Sequence, residues 1–275
     1  MWRNGTQIAT VFPPSFQDVG LIANTAYTYQ VKALDLASNV SPPATVAITT
    51  LPTAQISIGA VTNGASFTAN SLSPGSIATI FGTNLAASVG PVGSIPLPMT
   101  LGGAAVTVNG IAAPLFYAGP LQINFQVPDE TRVGTASVVV SVGGSSSAPF
   151  SVSVQAASPG IFQIGNPDYS LNDSNNPVAA GSYIIAYLTG QGPVDNPVAD
   201  GMAAPEAPLS RATSPFSATI GGQNANVFFL GLAPGYVGLA QANIEIPSLP
   251  GGSYPLVVTV DGVPGNGLLV AVSGP

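Results

Sequence analysis

Hydrophobic and polar residues alternate with a period of two along most of this chain. Ile123, Phe125 and Val127 fall on one side of an extended segment while Gln122, Asn124 and Gln126 fall on the other, the mark of a half-buried strand. The pattern returns at Gln241-Ala242-Asn243-Ile244-Glu245-Ile246. Val138-Val139-Val140 and Leu256-Val257-Val258 are continuous instead, which predicts strands covered on both faces. Near the amino end, Trp2-Arg3 and Thr6-Gln7 flank Asn4-Gly5, a pair that readily takes the positive φ values of a hairpin turn. Leu21, Thr25, Tyr27, Tyr29, Val31, Ala33 and Asp35 then continue on odd positions. No segment keeps an i, i+3, i+4, i+7 stripe for three turns, so almost no helix is expected.

These strands come in two matching series. Pro74-Gly75-Ser76-Ile77, Val108-Asn109-Gly110 and Phe125-Gln126-Val127-Pro128 are echoed by Ala180-Gly181-Ser182-Tyr183, Ile220-Gly221-Gly222 and Ile244-Glu245-Ile246-Pro247 at nearly constant separation. A repeat of this length is a domain rather than a solenoid turn. The expected organisation is therefore a segment at 1–52, a short linker at Leu51-Pro52-Thr53-Ala54, one sandwich at 55–157 and its repeat at 158–275. Composition agrees: 46% of the residues are hydrophobic and 5% charged, and 32 Gly and 27 Pro punctuate the chain as short strands and tight turns require. The fold class expected is all-β, with tandem immunoglobulin-like β-sandwiches after an amino-terminal segment.

Two resemblances sharpen this picture. The Leu21, Thr25, Tyr27 and Tyr29-x-Val31-x-Ala33 pattern resembles the second half of a fibronectin type III domain. It implies that Tyr27 is a corner tyrosine whose hydroxyl is tied to backbone a few residues upstream. The match starts at about the third strand, so an uncovered core and free strand edges are expected there. Ser73-Pro74-Gly75-Ser76-Ile77 through Leu85 resembles the opening of an IPT/TIG immunoglobulin-like domain. Together with Gln122–Pro128, Pro159-Gly160-Ile161-Phe162, Gly190-Gln191-Gly192-Pro193 and Gly235-Tyr236-Val237-Gly238, it is similar to an uncharacterised C-terminal domain of large secreted proteins from Solibacter-type bacteria. That resemblance implies an extracellular or cell-surface location and brings no activity.

Charge narrows the choice of partners. Eleven acids against four bases give a net charge of -7 without any basic cluster, which removes the footprint needed for nucleic acid. No apolar run reaches the roughly 18 residues of a spanning helix, and the first residues lack the basic and apolar regions of a signal peptide. The chain reads as an exported protein without its export signal, or as a piece of a longer one. There is no cysteine and no histidine. Disulfides, thiolate chemistry and the commonest general base and metal ligand are thus excluded.

What chemistry remains is sparse. A Ser-Lys dyad could use only Lys32, which sits on an alternating strand where a solvated lysine is ordinary. Asp195, Asp200 and Glu206 share one Gly/Pro-rich loop, and two carboxylates at suitable separation could serve a histidine-free glycoside hydrolase as acid and base. The plain alternative is that they solvate a long loop. Asp168, Asn172, Asp173 and Asn175 place several hard oxygen ligands in one stretch, which suits calcium, although no cofactor is required and Asn and Asp also favour turns by bonding their own backbone.

Aromatic rings offer a second route to function. Phe116-Tyr117 and Phe228-Phe229 occupy equivalent places in the two repeats, and adjacent strand residues face opposite ways, so one ring of each pair is expected in the core. Tyr236 follows in a Pro-Gly-Tyr turn where its ring could stand exposed, with the amides of Gln241 and Asn243 available to bond sugar hydroxyls. The outward amide rows on a chain this poor in charge favour self-association through sheet edges. The leading expectation is a non-catalytic extracellular structural, adhesion or assembly module. A polysaccharide-binding module is the first alternative, and the hydrolase the second.

Overall fold

The Asn-Gly hairpin forms as its turn chemistry dictates. In a computed structural model that describes residues 1–12, 15–51, 55–91 and 93–274, Asn4 and Gly5 adopt φ of 51° and 83° between strands Trp2–Arg3 and Thr6–Gln7. Residues 52–54 of the linker expected at 51–54 lie outside the described residues. The chain divides into two units, Met1–Gln55 and Ile56–Pro275. The whole is all-β, with tandem immunoglobulin-like sandwiches and no helix among the described residues.

The first unit is one antiparallel sheet in the order Thr6–Gln7, Trp2–Arg3, Ala26–Val31, Ala44–Thr49. Tyr27 and Tyr29 are buried on one face, as the odd-position alternation requires. The Tyr27 hydroxyl accepts a hydrogen bond from the Ile22 N–H at 2.9 Å, the corner geometry implied by the fibronectin resemblance. Asp18 ties down the same face by accepting from Arg3 at 3.1 Å and from the Tyr29 hydroxyl at 2.6 Å. Further along, Val31, Val46 and Ile48 stay exposed. Lys32 stands 4.9 Å from the centre of the Trp2 ring, a cation–π contact.

The second unit holds two sandwiches built alike. In the first, Ser57–Asn63, Ile77–Thr83, Gln122–Gln126, Leu115–Ala118 and Gly90–Pro91 form the front sheet. Ile111–Ala113, Ala104–Val108, Gly134–Val142, Phe150–Val154 and Ser71–Leu72 form the back. The second sandwich repeats this plan, with a front sheet of Gly160–Gly165, Tyr183–Thr189, Ala240–Glu245 and Val227–Leu232. Its back sheet runs Val178–Ala179, Leu268–Ser273, Gly252–Val260, Phe216–Ile220, Gln223–Ala225. Even the parallel pairing of a two-residue strand with the last long one recurs.

Positive φ at equivalent turns explains why the repeats share their turn residues: Asn109-Gly110 lies at 51° and 81°, and Gly221-Gly222 at 60° and 80°. Each sandwich has its own core. Ile123, Phe125 and Val127 lie fully inside the first, and Ala240, Ala242 and Ile244 inside the second. The continuous valine runs differ from expectation. Val138 and Val140 are buried but Val139 is only partly covered, and Leu256 and Val258 are buried but Val257 is not, because each back sheet has one bare face.

Candidate functional site

The two sandwiches meet along a seam of buried polar groups, and Ser158 is its centre. The Asn63 side chain donates to the Ser158 carbonyl at 2.8 Å, the Ser71 and Ser158 hydroxyls lie 2.9 Å apart, and the Ser158 N–H donates to the Gly190 carbonyl at 3.0 Å. On the front side the Ile77 N–H donates to the Thr189 hydroxyl at 2.8 Å, which in turn donates to the Gly238 carbonyl at 3.0 Å. The Gly201 N–H donates to Gln126 Oε1 at 2.7 Å, and the Leu97 N–H to the Gly201 carbonyl at 2.9 Å. Buried polar groups paired this fully fix one arrangement of the two halves, since a shift would strand them without partners.

Beside the seam opens an apolar cleft of about 320 Å³. Its wall is aliphatic, from Ile77, Leu97 and Leu239, and its rings are Phe116, Phe162 and Tyr236. Tyr236 is 58% exposed. It follows Gly235 at a φ of 81°, and its carbonyl accepts from the Ala204 N–H at 2.9 Å, so the turn is held by its backbone and the ring is free to project. Phe162 is the extra residue where the pairing of Gly160–Gly165 with Tyr183–Thr189 shifts register.

Register shifts occur at both ring pairs, and the expected core ring is absent at Phe116-Tyr117 but present at Phe229, which is buried. Leu115–Ala118 slips against Gln122–Gln126 between Leu115 and Tyr117, and Val227–Leu232 slips against Ala240–Glu245 between Val227 and Phe229. Each bulge inserts one residue and suspends the alternation. Leu115 and Leu230 take the core places, and neither Phe116 nor Tyr117 is buried. Phe229 is covered from outside, with the Arg211 guanidinium 5.1 Å from its centre. Phe228 packs edge-on against Tyr183 with ring centres 5.7 Å apart.

The front face of the second sandwich carries more rings than the sequence singled out. Tyr187 pairs across the sheet with Gln163 and Gln241. Its pKa is raised above the ordinary tyrosine value by burial, and then by the neighbouring Tyr169 and Tyr236. Tyr169, Tyr187 and Tyr236 therefore share one neighbourhood. Gln241 and Asn243 project on this same outer face, half-exposed, with the Gln241 amide donating to Asn243 Oδ1 at 3.3 Å. The structure thus brings Tyr236, Gln241 and Asn243 onto one side of the second sandwich, and adds Phe162, Tyr169 and Tyr187 from that sandwich and Phe116 from the first.

The loop carboxylates share no hydrogen-bond partner among the described residues. Asp195 accepts from the Arg211 N–H at 2.8 Å, capping the loop's own backbone, and Glu206 is exposed. Asp200 turns to the first sandwich, where it accepts from the Asp129 N–H at 3.1 Å. Partial burial, then the charges of Asp200 and Glu130, push the Asp129 pKa up to about 6. Asp200 is raised as well, by burial first, against the opposing Asp129 N–H. A raised carboxyl pKa means the folded state holds the proton more firmly than the unfolded chain. This group's contribution is complete below its ordinary 3.8 and is lost as pH rises through about 6. Asp129→Asn should therefore raise the melting temperature at pH 7, with the gain shrinking towards pH 5; a gain independent of pH would show that the carboxyl pKa is not raised.

The calcium candidates lie in one loop of the second sandwich. Asp168 accepts from the Ser170 N–H and hydroxyl, and Asp173 from the Asn175 and Asn176 N–H groups at 2.8 and 3.0 Å. The Asn172 side chain is buried and exchanges hydrogen bonds with the Ala271 backbone at 3.0 and 2.8 Å. Among the described residues no group of three or more acidic side chains gathers to hold a metal.

No family model matches the chain. One stretch of 80 residues, 27% of the chain, is 41% identical to part of Exoglucanase B of Cellulomonas fimi, and spans 7% of that protein. Another comparison gives 44% identity over 52 residues, 19% of the chain, with 4% of an alpha-amylase of Niallia circulans. The chain thus spans only a small fraction of the curated relatives it matches. Among solved structures, 99% of the chain aligns with 59% of SGBP-B of a Bacteroides ovatus mixed-linkage glucan utilisation locus, solved in complex with a mixed-linkage heptasaccharide, at 14% identity and a TM-score of 0.37.

Proposed function

We propose that this chain is a non-catalytic module of a larger exported, polysaccharide-directed protein, and that its second unit holds glycan on the aromatic ledge around Tyr236. The observation that carries this reading is the exposed Tyr236 ring beside Phe162 and Phe116, with Gln163, Gln241 and Asn243 on the adjoining sheet face. Apolar pyranose faces stack on such rings, and amides bond the hydroxyls at their edges. Both curated relatives are named for carbohydrate chemistry and are matched over a small part of their length, as an accessory module would be. The similarity to the C-terminal domain of Solibacter-type secreted proteins supports the same extracellular setting. The test is depletion from solution by an insoluble neutral polysaccharide, with Tyr236→Ala run beside the wild type. Equal depletion of both would remove the ledge as the site.

A second reading, assembly between copies, is favoured by the first unit. Every residue of Ala44–Thr49 is exposed and one edge of this uncharged strand has no partner strand among the described residues. Light scattering over a dilution series tests it: self-association predicts a mass that rises with concentration, and a constant monomer mass removes it.

A further inference from the structure

The ledge has a charged border that its own rings do not explain. Asp129 lies against Gly75, two residues before Ile77 of the cleft wall, and its N–H is held by Asp200. The next residue, Gly201, is bonded to Leu97 of the same wall and to Gln126. Glu130 adds a third carboxylate close enough to act on the other two. Among the described residues none of the three makes an ion pair. Arg132 makes no ion pair among the described residues, and Arg211 is turned over the Phe229 ring. The chain as a whole carries -7.

We infer that the ledge selects neutral polysaccharides and rejects those bearing uronates, with Asp129, Glu130 and Asp200 as the rejecting groups. This rests on the reading of the ledge as a glycan platform. Neutral pyranoses present apolar faces to Phe162 and Tyr236 and lose nothing to the border. A polyuronate has one carboxylate on each ring, and seating its rings on the ledge sets several of these against the negative border, a repulsion whose reach is about 10 Å at 0.1 M salt and longer at lower ionic strength. Like charges set against each other are a standard means of excluding a wrong partner. The aliphatic wall supplies no donor that could compensate.

The experiment compares retention of the full chain in native gels containing galactomannan, hydroxyethylcellulose or polygalacturonate at low ionic strength. The expected result is retardation by the two neutral polymers and none by polygalacturonate. An Asp129→Asn, Glu130→Gln, Asp200→Asn variant should gain at least about tenfold in retardation by polygalacturonate. A thermal melt confirms that the variant folds, and raising salt on the wild type should produce a gain of the same sign without any substitution. Wild-type retardation by polygalacturonate equal to that by the neutral polymers overturns the inference and leaves the glycan platform standing. Absence of retardation by all three polymers, in wild type and variant alike, overturns the platform itself.

Discussion

Gly190→Ala lowers the melting temperature of the second unit by about 6–12 °C, while Gly222→Ala lowers it by about half as much. Both glycines have positive φ, 78° and 80°, so each substitution incurs the strain of a left-handed backbone, about 1–2 kcal/mol. Their surroundings differ. A Cβ at Gly222 meets nothing within 4 Å, whereas one at Gly190 would overlap the Ser158 carbonyl oxygen. That oxygen accepts the Asn63 side chain, and the Ser158 N–H donates back to Gly190. Relieving the overlap pushes Ser158 away from both partners, adding about 1–3 kcal/mol of overpacking. At roughly 2–4 °C per kcal/mol for a domain of this size, a total near 3 kcal/mol gives the stated shift. Calorimetry on the two variants checks it. Equal losses would mean that the seam yields freely and that Ser158 does not fix the two sandwiches.

The repeat, the strands and their hairpin turns were legible because each is written locally. Asn4-Gly5, Asn109-Gly110 and Gly221-Gly222 demand positive φ whatever surrounds them, and Ile123, Phe125 and Val127 sort to one face by period alone. The corner role of Tyr27 was implied by the fibronectin resemblance, and it is met by a residue only five positions away. The ledge was legible at one point, Tyr236 in its Pro-Gly turn. Phe116 and Phe162 were misread or missed because a bulge adds one residue and inverts the parity on which strand reading depends. Nothing in composition announces a bulge at Leu115-Phe116 or at Ile161-Phe162. The carboxylate border was hidden for another reason. Asp129 and Asp200 are 71 residues apart, and only the packing of one sandwich on the other brings them together. The grouping of Asp195 with Asp200 and Glu206 followed sequence distance, where the fold follows backbone donors: the Arg211 N–H takes Asp195 and the Asp129 N–H takes Asp200.

Retention on neutral glycan should fall at least about tenfold in Tyr236→Ala and stay near wild type in Tyr236→Phe. The ring is the most exposed of the three in the cleft, so truncation removes the largest share of contact surface offered to a ligand. The main chain of residue 236 is held independently of the side chain, by the Ala204 N–H on its carbonyl and by its own N–H on the Ala233 carbonyl at 3.2 Å. Its loop therefore keeps its place in the alanine variant, and the melting temperature should move little. Tyr236→Phe keeps the stacking face and loses only a hydroxyl that makes no hydrogen bond among the described residues. Phe162→Ala should weaken retention as well, by less, because more of that ring is already covered. Tyr254→Ala is the control, since this tyrosine belongs to the back sheet and its hydroxyl donates to the Pro250 carbonyl at 3.0 Å. If Tyr236→Phe loses as much retention as Tyr236→Ala, the hydroxyl and not the ring makes the contact, and stacking on the ledge is the wrong account of how this unit holds a polysaccharide.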